Sequence, residues 1–162
     1  MLKKLILYTL TWVCSSFNLI PNYTLNYPRN LSLCSTINPY VETTALEIST
    51  TYPKLFRIGG NDGTICSEDD VHYGVMYKYS NKTDIIINNI LSYYPNNLYN
   101  VMLHEIGHSL GLKHSTKAGM MNYTVRKRDG YLLPDPRKLW WSRDDMRGIR
   151  KIKKIRESDT RR

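Results

Sequence analysis

The sequence predicts a single α+β or α/β domain built on a mixed sheet. Two observations carry that expectation. The 162 residues suit one domain with a real hydrophobic core. The elements read strand, helix, several strands, helix, loop, helix. No internal repeat interrupts that order.

The elements follow in chain order. Tyr23–Tyr27 is a short β-prone run ended by Pro28. Asn38 can cap a helix that has Pro39 at its first position; Val41, Ala45 and Ile48 lie on one face. This helix should stop near Tyr52, before Pro53. Lys54–Ile58 reads as a strand closed by Gly59 and Gly60, and Asn61–Asp70 as a polar loop with a short strand around Ile65. Val71–Tyr79 and Asp84–Asn88 are the best-marked strands, joined by a turn at Ser80-Asn81-Lys82. After the loop SYYPNN a helix begins near Asn97 and runs through HEIGHSLGLKH, with a turn at Gly111. The pattern is irregular from Gly111 to about Trp141. A last helix is capped by Ser142, with Asp144 and Asp145 in its first turn. Its apolar stripe is Met146, Ile149, Ile152 and Ile155.

The opening residues, MLKKLILYTLTWVCSSF, place two lysines before an apolar run and small residues after it. This is the pattern of a secretory leader over residues 1–19; a buried strand or an uncleaved anchor are the other readings. Four Asn-x-Ser/Thr sequons, at Asn22, Asn30, Asn81 and Asn122, agree with secretion. If Cys14 leaves with the leader, Cys34 and Cys66 remain, either as one disulfide or as two buried thiols. The net charge of +9 is concentrated at the end, where residues 147–162 carry eight basic side chains against Glu157 and Asp159. A weak contact with acidic glycans through the tail at 157–162 is one consequence; a solvated helix end is the plainer one. No aromatic residues interleave with these charges, so nucleic acid is not an expected partner.

The chemistry concentrates in HEIGHSLGLKH, residues 104–114. His104 and His108, four apart, share one helix face, one turn apart, and can bind one metal ion. Zinc accepts nitrogen ligands best. Glu105 is placed to reach a metal-bound water without ligating the ion. A straight helix would carry residue 114 away. Gly111 intervenes and can take the left-handed conformation that ends helices. His114 can then return as a third ligand, leaving one position open.

His104, Glu105, His108, Gly111 and His114 spell HExxHxxGxxH, which resembles the metzincin zinc peptidases. Within them the chain looks most like the matrixins. Ser115 follows the third histidine, Met121 resembles the Met-turn methionine, and WSRDDMRGI (141–149) resembles the start of the family's C-terminal helix. The resemblance spans 20–156, with its specific motifs between 104 and 149. It implies a metzincin fold: a mixed twisted sheet in an α/β-like upper subdomain, an active-site helix and a C-terminal helix. It implies an extracellular zinc endopeptidase acting on proteins or peptides as a monomer. In such an enzyme a zinc-bound water is activated by Glu105. Substrate would lie along the strand VHYGVMYKY, with Asn122–Tyr131 walling the pocket after the scissile bond. Asn100, four residues before the first histidine, occupies a position that often sets that pocket's depth in matrixins.

The departures are specific. Many matrixins hold a second zinc with three histidines and an aspartate, and here only His72 is left to contribute. Calcium is equally doubtful, although Asp62, Glu68, Asp69 and Asp70 are near. No PRCG-type cysteine switch occurs, so the expectation is a minimal catalytic domain. Met121-x-Tyr123 resembles astacins and serralysins, whose tyrosine can join the zinc or stabilise the transition state; Tyr123 is either such a residue or a wall tyrosine. The alternative function is a silent or latent zinc protein that binds matrix proteins or protease inhibitors. Its mark would be a lost base or ligand, and all four residues are present.

Overall fold

The computed structural model describes residues 28–79 and 82–159. The leader, the Tyr23–Tyr27 strand, the Asn22 and Asn81 sequons and the last three residues lie outside them. The architecture is the α+β arrangement expected. Strands β1 (Arg29–Leu33), β2 (Phe56–Ile58), β3 (Gly63–Glu68), β4 (Gly74–Lys78) and β5 (Thr83–Asn88) form one sheet in the order β2-β1-β3-β5-β4. All neighbours are parallel except β4, which runs antiparallel to β5 at the edge.

Helices α1 (Pro39–Thr51) and α2 (Pro95–Ser109) pack on the sheet and on each other. Burial alternates along β5, with Thr83, Ile85 and Ile87 turned inward. Ile85 pairs in register with Ile65 of β3 on one side and Met76 of β4 on the other. Val41, Ala45 and Ile48 of α1 and Leu98, Met102 and Ile106 of α2 complete the core. Asn38 caps α1 by accepting the Tyr40 N–H at 2.9 Å. Helix α3 (Arg143–Asp159) opens on a reciprocal capping box. Ser142 Oγ accepts the Asp145 N–H, and Asp145 Oδ2 accepts the Ser142 N–H.

Five elements differ from the sequence reading, each for a physical reason. The stretch read mainly as a loop contains β3, the central strand. Its inward positions are Gly63, Ile65 and Ser67, so only one apolar residue marks a strand buried between two neighbours. β1 begins at Arg29, and its one fully apolar inward residue is Leu31. β2 and β4 start later than expected. Leu55 and Phe56 donate to the Tyr52 carbonyl, which holds the Pro53–Leu55 turn outside β2. The segment before β4 is held by Asn88, which bonds the Tyr73 and Val71 carbonyls. α2 starts at Pro95, whose missing N–H costs nothing at a first helical position.

Cys34, just past β1, is joined to Cys66 in β3 by a disulfide, with Cα atoms 5.1 Å apart. Neither sulfur is therefore a free thiol.

Candidate metal centre

Helix α2 carries His104, Glu105 and His108 and then stops by a Schellman motif. Gly111 takes φ 97°, its N–H meets the His108 carbonyl, and Leu112 N–H meets the Gly107 carbonyl. The reversal returns His114 to the two helical histidines. The three Nε2 atoms stand 3.0, 3.1 and 3.1 Å apart, a nearly equilateral triangle.

The other ring nitrogens set the protonation. His104 Nδ1 lies 2.8 Å from the Met120 carbonyl and His108 Nδ1 2.7 Å from the Leu112 carbonyl. A carbonyl only accepts, so each Nδ1 carries the proton and each Nε2 presents a lone pair. Lone pairs meeting at this distance repel one another unless a cation lies among them. Nitrogens held at about 2.0–2.1 Å by one tetrahedral ion are about 3.4 Å apart. The triangle is slightly tighter than that and fits zinc. Burial pushes all three histidines below their ordinary pKa, His104 to about 4, which keeps them neutral and able to ligate.

The support beneath the triad is long-range. The Met-turn forms a short 3-10 helix at Met120–Asn122. Its Met120 carbonyl orients His104, and its Met120 N–H is held by Asp145 Oδ2 of α3 at 3.0 Å. Met121 is 1% exposed, and its sulfur lies against Gly107, where an added Cβ would come within 2.4 Å of Sδ. Asp145 reads in sequence as a helix cap; its second task, holding the Met-turn, is a contact 25 residues away along the chain.

Glu105 is buried, at 6% exposure, and has no hydrogen-bonding or ionic partner among the described residues. Burial alone pushes its carboxyl up to about 8. It lines a cleft of about 240 Å³ together with His104 and Val101 of α2. Tyr73 and Gly74 close one side, and the chain from Tyr123 to Lys127 the other. Four residues of the expected wall segment, Tyr123, Thr124, Val125 and Lys127, thus line the cleft, and β4 is the sheet edge beside it. Gly74 must lack a side chain, because a Cβ there would fall 2.5 Å from Val101 Cγ1 and 2.9 Å from Glu105 Cγ. Gly74→Ala is expected to lower kcat about 10–100-fold by displacing Glu105. Circular dichroism and steady-state kinetics on the variant check this; an unchanged kcat would show that Glu105 has room to spare.

One expectation for the pocket is corrected, and one open choice is narrowed. Asn100 does not line it. It is fully buried, donating to Asp135 Oδ2 and the Arg137 carbonyl and accepting the Leu139 N–H. Its work is to tie the 133–139 segment to α2, with Asn97, which bonds the Leu133 carbonyl and the Asp135 N–H. Tyr123 lines the cleft, but its hydroxyl donates to Asp135 Oδ2. Burial, then Asp135, pushes the phenol further above its ordinary pKa. In this conformation the hydroxyl is committed to Asp135, as a wall tyrosine's would be.

His72 is exposed at the cleft rim. Among the described residues the triad is the one cluster of three or more metal-ligating side chains. Asp62 accepts the Asn30 N–H and Asp69 the Asn89 side-chain amide.

A helix–turn that aims three neutral imidazoles at one point, with a buried unpaired carboxylate beside them, defines a metzincin-type metallopeptidase domain. The matrixin family model matches residues 53–154, a span that includes β2 to β5, the triad, the Met-turn and most of α3. The chain belongs to the matrixin family.

Proposed function

We propose that the protein is a secreted zinc endopeptidase that cuts extended segments of extracellular proteins. The observation that carries this reading is the pairing of a converging histidine triad, two of its members tautomer-fixed, with an unengaged Glu105 on the wall of one cleft. His104, His108 and His114 would hold the ion. When bound, zinc supplies Lewis acidity, which acidifies water and polarises a carbonyl.

The chain's own residues supply the rest. β4 offers its free edge, so an extended peptide can add to the sheet through main-chain hydrogen bonds. Gly74 and Val101 hold Glu105 at the cleft wall. There, in its ionised form, its carboxylate takes a proton from the attacking water and gives it to the leaving amine. The apolar wall from Val101 and Val125 limits water around that transfer. The intact base and three intact ligands favour a working enzyme over a silent binding protein. Secretion is supported by the leader-like opening residues and by the Cys34–Cys66 bridge, which persists in oxidising compartments. The Asn122 sequon is exposed and open to glycan addition.

The test is cleavage of a quenched peptide library by the purified protein. Chelation is expected to remove cleavage by more than about 100-fold, and zinc to restore it. Cleavage that persists in chelator would refute the proposal.

A further inference from the structure

The cleft beside Glu105 is lined by apolar groups, from Val101, Val125 and the Tyr73 ring, and by a single lysine, Lys127. Lys127 opens β6 (Lys127–Arg128), which pairs with β7 (Tyr131–Leu132). Its ammonium sits 4.8 Å from the centroid of the Tyr73 ring, so it reaches from the hairpin to the residue that precedes β4. Lys127 is exposed and has no ion-pair partner among the described residues. Its neighbour differs. Successive strand side chains face opposite ways, and Arg128 does not line the cleft.

An ammonium resting on an aromatic face at a solvent-exposed site is held weakly. A carboxylate offers the same group a shorter, charge-assisted hydrogen bond. Glu105, the one carboxylate on the cleft wall, is not within ion-pair distance of Lys127. The lysine's charge is therefore free to meet an incoming one. Because Glu105 delivers its proton to the leaving amine, the cleft it lines receives the part of the substrate on the amine side of the cut.

We propose that Lys127 is a specificity residue that selects peptides with an acidic side chain among the first three residues after the scissile bond. This rests on the peptidase reading above and adds a substrate class to it. The Tyr73 ring and Val125 would pack on the aliphatic part of such a side chain, and Lys127 would meet its carboxylate.

The experiment maps cut sites in a proteome-derived peptide mixture for the wild type, Lys127→Glu and Arg128→Glu, all zinc-loaded. Arg128→Glu makes the same charge change away from the cleft. Asp and Glu should be enriched about fivefold at one or more of the three positions for the wild type and Arg128→Glu. Lys127→Glu should enrich Lys and Arg there instead. Equal enrichment in wild type and Lys127→Glu, or no acidic preference in the wild type, would overturn the proposal. A parallel measurement, fluorescence anisotropy with labelled hexapeptides bearing Glu or Lys, separates the two readings. A binding preference that reverses in Lys127→Glu without any cleavage would sustain the acidic subsite and refute the peptidase. Indifference to peptide charge would refute the subsite.

Discussion

Glu105→Ala is expected to lower kcat/KM by about 10³–10⁴ while leaving the fold and the metal content unchanged. The size follows from the position of the carboxylate. It is buried, unpaired and on the cleft wall, and no second carboxylate lines that cleft to replace it. The metal content should survive because His104 and His108 are oriented by the Met120 and Leu112 carbonyls and not by Glu105. Steady-state kinetics with metal analysis on the same preparation checks both halves. Removing a buried carboxyl that burial pushes up to about 8 should also raise metal-free stability slightly, because no partner is left unsatisfied. A variant that loses zinc together with activity would instead make Glu105 part of the metal site.

The largest stability effect is expected from the disulfide. Replacing both Cys34 and Cys66 with alanine should lower unfolding free energy by about 3–4 kcal/mol, the chain-entropy value for a closed loop of this size. The two residues are 32 apart and join the end of β1 to β3, the strand at the centre of the sheet. Total stability of a domain is typically about 5–15 kcal/mol, so the loss would shift a urea midpoint clearly. The triad lies on α2 and the turn after it, and neither cysteine lines the cleft, so turnover per folded molecule should be retained. A midpoint that does not move would mean that the thiols contribute nothing as a bridge.

The site was legible in the sequence where its geometry is local. His104, Glu105, His108, Gly111 and His114 lie within eleven residues, and helical spacing plus one left-handed glycine places them. The caps at Asn38 and Ser142 were legible for the same reason. What sequence reasoning missed is held by contacts distant along the chain. β3 is a strand because β1 and β5 flank it, although its inward residues include Gly63 and Ser67. Asn97 and Asn100 looked like loop or pocket residues, yet they clamp a segment more than thirty positions away. Gly74 carries no signal by itself; its meaning comes from Glu105, which packs against it from another element. For Tyr123 the sequence left two roles open, and it could not show that Asp135 takes the hydroxyl.

The central claim is that three histidines and one carboxylate make a single zinc-dependent hydrolytic centre. The most direct measurement is zinc content and quenched-peptide turnover on one preparation, before chelation, after it, and after stepwise return of zinc. The account predicts one zinc per chain, with turnover rising in proportion to the zinc returned and saturating at that stoichiometry. Turnover that is independent of zinc, or a folded protein that takes up none, would contradict it.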